Sequence, residues 1–162
     1  MSEQKKHIEI ERKFLVVNDS YKSLATKQIR ICQGYLALND RCSVRVRQWD
    51  DKAFLTIKSK AVAGSFSRFE FEYEVPYSDA EQLLALCLPG KIEKTRWIIP
   101  LNDQLTCEVD EFDGLNKGLV LAEIELQSEQ QSYPKPDFLR QEVTRDHRYF
   151  NSYLSQMPYA LW

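Results

Sequence analysis

The sequence predicts a β-dominated α+β protein of about eight antiparallel strands with a few flanking helices. Three observations lead there. Polar and apolar side chains alternate along most of the chain, which is the period of a half-buried strand. Short polar stretches, Asn39-Asp40, Asp50-Asp51, Ala63-Gly64-Ser65 and Asn102-Asp103, look like turns between neighbouring strands. Helical signals are few and brief.

The first strand covers His7–Lys13. Glu9, Glu11 and Lys13 share one face, with Ile8, Ile10 and Phe14 on the other. Same-face neighbours on a strand stand ~7 Å apart. Two carboxylates and an ammonium at that spacing can hold a divalent cation and a phosphate together, whereas the plainer reading is a solvated strand face. Further strands are expected at 28–38, 42–49, 53–60, 67–75, 91–100, 104–112 and 120–127. Ser78-Asp79-Ala80-Glu81 has the form of a capping box. It opens a helix over Gln82–Cys87, which Pro89-Gly90 stops. A second helix is expected over Pro136–Val143, with Asp137 near its start, and a third over Arg148–Met157. Gln127–Pro136 reads as a linker-like loop. No repeat or internal boundary is visible, so one domain is expected over residues 1–162.

Composition narrows the function classes. With 43% hydrophobic and 28% charged residues, the chain is an ordinary globular protein rather than a disordered one. A formal charge of -2 gives no net attraction to nucleic acid or acidic membranes, and neither partner is expected. The longest apolar run, Leu83–Leu88, is far short of the ~18 residues of a membrane span. Met1–Lys6 lacks the apolar core of a signal peptide. Cys32, Cys42, Cys87 and Cys107 form no C-x-x-C pair, and His7 and His147 are too few for a zinc site. Free thiols and a cytoplasmic location follow as expectations.

The charges themselves are patterned. Arg45 and Arg47 share a strand face, as do Lys94 and Arg96, while Lys58 shares one with Thr56. Arg68 leads Glu70, Glu72 and Glu74; Glu108 pairs with Asp110, and Glu123 with Glu125. Like charges one pleat apart repel, so such doublets are easier to keep where opposite charge lies between them. Two architectures remain open on this pattern. An open sheet or sandwich would turn the charges to solvent, and a closed barrel would line its interior with them.

The string Ile8-Glu9-Ile10-Glu11-Arg12-Lys13-Phe14-Leu15-Val16, with its Glu-x-Glu-x-Lys core, resembles the CYTH superfamily, the triphosphate tunnel metalloenzymes. Later segments match in order: Gln33-Gly34-Tyr35-Leu36, Val44-Arg45-Val46-Arg47, Thr56-Ile57-Lys58-Ser59, Glu93-Lys94-Thr95-Arg96, Glu108-Val109-Asp110 and Glu123-Ile124-Glu125-Leu126. The stretch from Glu142 to Tyr149 fits the short bacterial branch. The resemblance implies a closed eight-stranded antiparallel β-barrel with a charged tunnel. It implies that Glu9, Glu11 and one or both of Glu123 and Glu125 hold Mg²⁺ or Mn²⁺. Lys13, Arg45, Arg47, Lys58, Arg68, Lys94 and Arg96 would grip a triphosphate-containing small molecule. Glu70, Glu72, Glu108 and Asp110 would hold a second metal, orient the bases or position water. Tyr35 is a candidate proton acceptor beside Lys94 and Glu11. The implied activity is metal-dependent hydrolysis of tripolyphosphate, and a homodimer is one expected assembly. The alternatives are a class IV-type adenylate cyclase, a thiamine or nucleoside triphosphatase, or a non-catalytic polyphosphate-binding module.

Overall fold

The computed structural model describes residues 7–61 and 63–162, so Met1–Lys6, read above for a signal, lie outside the described residues. All eight expected strands form: β1 (Ile8–Val16), β2 (Lys27–Leu38), β3 (Cys42–Trp49), β4 (Lys52–Ser59), β5 (Ser67–Val75), β6 (Ile92–Pro100), β7 (Thr106–Phe112) and β8 (Val120–Glu125). They pair antiparallel in the order β5-β4-β3-β2-β6-β7-β8-β1. β1 then pairs with β5 through Ile8↔Phe69, Glu9↔Arg68 and Ile10↔Ser67, which closes the barrel. Closure removes free strand edges and sends every second side chain inward. Here the ionic side faces in, so the barrel, and not the solvent-facing sheet, is the architecture.

The apolar sides face outward and are covered. Phe14, Cys107, Val109, Ala122 and Ile124 pack beneath Tyr21, Leu126, Tyr133 and Phe138. The segment read as a linker is therefore a cover over one outer wall, where each large apolar side chain buried contributes roughly 1.5–3 kcal/mol. On the opposite wall, Ala80 and Leu84 of a helix α2 (Tyr77–Leu86) pack on Val46 and Ala53. Gly34 permits that approach, because a Cβ there would stand 2.8 Å from Cys87 Sγ. A third cluster lies at one end of the lumen. Ile92, Phe112 and Leu121 meet Val143, Leu154 and Tyr149 from the C-terminal segment. All four cysteines are free thiols, and no described helix is long and apolar enough to cross a membrane.

Four local expectations differ from the structure. Residues 136–143 form no helix; Leu139–Glu142 is a strand, β9, paired with β1 through Phe14↔Glu142 and Val16↔Leu139. The ladder from β1 to β5 stops at Ile10, and the unpaired backbone beyond it outweighs local helix propensity. The C-terminal helix expected over 148–157 shrinks to a helical turn, α3 (Asn151–Leu154). Phe150 before it is extended, and Asp146 caps a preceding turn by accepting from the Arg148 amide. α2 starts at Tyr77 with Pro76 at its N-cap, so Ser78 and Glu81 lie inside the helix and no capping box forms. A single turn, α1 (Tyr21–Leu24), was not anticipated, since four residues carry no helical period.

Candidate active site in the barrel lumen

The seven expected phosphate-binding bases, the four expected metal ligands and Tyr35 all line one cavity of about 670 Å³, as do Glu70, Glu72 and Glu108. Asp110 does not line it and lies buried against Lys94 and Arg96. The lining residues reach it from all eight barrel strands, which is why no local stretch of sequence displays the site.

One wall is basic. Lys94 is 1% exposed, and its ammonium donates to Asp110 Oδ2 at 2.6 Å and Asn151 Oδ1 at 3.0 Å. Burial, reinforced by Arg96 and only partly offset by Asp110, pushes its pKa down to about 8. Arg96 grips Asp110 with two parallel bonds of 2.7 and 2.8 Å, and also meets Glu108 and Glu123. Burial alone would raise the Asp110 pKa, but Arg96 and Lys94 outweigh it and hold the carboxyl below its usual range. Both Asp110 oxygens are thus taken up in orienting bases. Arg47 bonds Glu72 at 3.1 Å and lies 4.6 Å from the centre of the Trp49 ring. Its burial beside Arg45 and Arg96 makes its charge costly without removing it. The Nε groups of Arg45 and Arg47 are buried and donate to no described residue. A multivalent anion would relieve that wall.

The facing region is acidic. Glu9 receives Lys58 at 2.5 Å and Arg68 at 2.7 Å; these cations overcome burial and keep its carboxyl far below the ordinary range. Lys13 pairs with Glu123 at 2.9 Å, and the Lys13, Arg96 and Lys94 charges likewise overcome burial to depress Glu123. Glu11 differs. Burial, with Glu123 and Glu9 adding repulsion, raises its pKa although Arg68 stands 3.2 Å away. Glu125, the more exposed of these acids, is pushed up to about 7 by partial burial and by Glu9, Glu70 and Glu108. Here negative charge exceeds what the local bases neutralise. A set of hard carboxylate oxygens in that condition suits a hard divalent cation. Among the described residues no three acid, histidine or cysteine groups stand ready as a coordination shell; Lys13, Lys58 and Arg68 hold their oxygens in ion pairs.

Arg68 lies with Glu9 and Glu11 rather than on the basic wall. Tyr35 is buried and lines the cavity. Sequence reasoning did not assign Trp49, Phe150, Asn151 or Ser152, which also line it. The last three come from the C-terminal segment, and no pattern in that segment marks them. A second cavity of about 670 Å³ shares Glu11, Lys13, Lys58, Arg68 and Phe150 and opens between the β2–β3 and β4–β5 turns. Phe150 and Ser152 of the C-terminal segment line both cavities.

The chain matches the CYTH domain over residues 7–158. It is 47% identical over 152 residues to an inorganic triphosphatase of Acetivibrio thermocellus, covering 93% of this chain and 95% of the relative. An inorganic triphosphatase of Nitrosomonas europaea is 37% identical over 150 residues, covering 91% of this chain and 96% of the relative. The crystal structure of the inorganic triphosphatase NE1496 superposes with a TM-score of 0.63 at 34% identity, over 91% of this chain and 93% of that one. Family match, sequence relatives and barrel agree over nearly the whole length, and the chain belongs to the CYTH domain family.

Proposed function

We propose that this protein hydrolyses inorganic tripolyphosphate to pyrophosphate and orthophosphate in its lumen, with Mg²⁺ or Mn²⁺. The observation that carries this reading is a basic wall with unused guanidinium N–H groups facing an under-neutralised acidic cluster in one cavity. Relatives that are inorganic triphosphatases at 47% and 37% identity support it.

Glu9, Glu11, Glu123 and Glu125 would hold the metal, which when bound supplies Lewis-acid polarisation of phosphoryl oxygens. Lys13, Arg45, Arg47, Lys58 and Arg96 clamp the phosphates, and Arg68 holds Glu9 and Glu11 in place beside them. Phosphoryl transfer asks chiefly for in-line positioning and charge neutralisation, and a lumen of pre-oriented cations supplies both. Lys94 steadies the terminal phosphoryl group and the attacking water. Glu11 and Tyr35 stand within the same lumen to accept its proton. Water adds to the terminal phosphorus, the P–O bond to the next phosphate breaks, and pyrophosphate leaves.

Trp49 bears on the choice of substrate. Arg47 lies over its ring at 4.6 Å, and Phe54 meets it edge-on at 6.2 Å. Trp97 packs against Tyr21, and Trp162 against Tyr149 and Tyr159. With the indole at the cavity occupied in this way, an unadorned triphosphate suits the site better than a nucleotide or thiamine ester. The reading extends to one tunnel domain over residues 1–162, a cytoplasmic location without nucleic-acid or membrane partners, and homodimerisation, which light scattering after size exclusion would read. The deciding assay gives purified protein tripolyphosphate, ATP and thiamine triphosphate with each metal. Phosphate should come fastest from tripolyphosphate. Silence with both metals from neutral to alkaline pH, or cyclic AMP as the chief product from ATP, would overturn it.

A further inference from the structure

The C-terminal segment does more than fill one end of the barrel. Leu154 is 1% exposed and packs with Tyr149 on the inward-facing Ile92, Phe112 and Leu121. That apolar anchor fixes the position of α3, whose first residue is Asn151. The Asn151 side-chain oxygen accepts from Lys94 Nζ at 3.0 Å and from Gln33 Nε2 at 3.3 Å. An ammonium can only donate, so its neighbour must be an acceptor, and this settles which way the amide faces. Its Nδ2 group donates to no described residue, and Asn151 lines the same cavity as the arginine wall.

We infer that Asn151 is a positioning and anion-contacting residue of the lumen: its oxygen holds the Lys94 ammonium in place, and its amide N–H groups meet the terminal phosphoryl oxygens of the substrate. The phosphoryl half rests on the triphosphatase reading, while the Lys94 half stands without it. Lys94 keeps the carboxamide from turning, because a flipped Asn151 would set NH₂ against an ammonium.

The groups facing the Lys94 ammonium are few. Asp110 comes from β7, Glu123 from β8, Arg96 from its own strand, and Asn151 and Gln33 are neutral. The Phe112 ring lies 5.3 Å away. A hydrogen bond to the charged form favours that form. Removing the Asn151 acceptor therefore lowers the pKa of Lys94 further, and placing a carboxylate there raises it.

The test compares Asn151→Ala and Asn151→Asp with wild type by an NMR pH titration of lysine side-chain carbons in the free protein. The Lys94 signal is identified by its loss in Lys94→Arg. Expected is a downward shift of the Lys94 midpoint in N151A and an upward shift in N151D. Tripolyphosphate turnover by N151A should fall about ten- to hundred-fold in kcat/KM, the scale of one charge-assisted hydrogen bond. N151D should lose affinity through repulsion of the anion even though it holds Lys94. Unmoved midpoints in folded variants would overturn the Lys94 role, and an unchanged kcat/KM would overturn the phosphoryl contact. Because N151D is isosteric with the native amide, it carries the titration should N151A fail to fold. The titration needs no substrate, so a wild-type protein inert toward tripolyphosphate would sink the activity reading and leave this result standing.

Discussion

Asp110 and Glu11 are both inward-facing acids of the same barrel, the first buried and the second half-buried, yet they stand in opposite electrostatic conditions. Asp110 lies directly across from Arg96 in the β6–β7 register, and its two oxygens are shared by Arg96 and Lys94. Glu11 lies across from Glu125 in the β1–β8 register, and its pKa is raised by burial and by Glu123 and Glu9. An acid whose register partner is a base makes a closed ion pair; a buried acid crowded by other acids keeps a charge deficit that a ligand can fill. Strand pairing and the acids gathered around each group separate a carboxylate that holds the barrel's bases from one left crowded by like charge.

The largest test of that contrast is Glu11→Gln. It should lower kcat/KM for tripolyphosphate by on the order of 10²–10³, the cost of losing one preorganised electrostatic group. Thermal stability should hold or rise, because a like-charge repulsion is relieved, and calorimetry reads this directly. Asp110→Asn should do the reverse in stability. It leaves Lys94 and Arg96 short of buried negative charge and should cost about 3–5 kcal/mol in urea denaturation. If the two substitutions destabilise alike, the contrast is broken.

A smaller effect sharpens it through pH. Lys94 has a pKa of about 8 in the fold against 10.5 ordinarily. Between those values the unfolded chain binds more protons, so stability should rise as pH climbs from about 8 toward 10.5. Over the same window the ammonium is lost and affinity for tripolyphosphate should fall. Urea midpoints and titration calorimetry, each referred to Lys94→Arg, isolate both trends; movement in the same direction would show that Lys94 does not contact the anion. Least of all should come from Lys52→Ala. The Lys52–Glu74 pair is exposed at 3.7 Å and should contribute under about 0.5 kcal/mol, which chemical denaturation can bound.

Where function concentrated charge, the sequence was easy to read. Arg45 and Arg47, Lys94 and Arg96, and Glu9, Glu11 and Lys13 each announce a shared face by period two alone, and the structure brings all of them to one cavity. Hairpin neighbours were equally legible, since local turns set them: Asp50, for instance, sits at positive φ between β3 and β4. Non-local pairing was not legible. Residues 139–142 become a strand because β1 has backbone to satisfy beyond Ile10, and nothing within 136–143 reports that. Asn151 was invisible for the same reason, its importance lying in Lys94, which is distant in sequence and near in space.

From residue order alone came the strands, the sign of charge on each face and the family resemblance, because these depend on side-chain alternation within short segments. Only tertiary structure decided which face turned inward, which acids met bases and which met acids, and what closed the far end. Those outcomes depend on strand partners and on packing across the lumen, where burial strips away water and makes each uncompensated charge count.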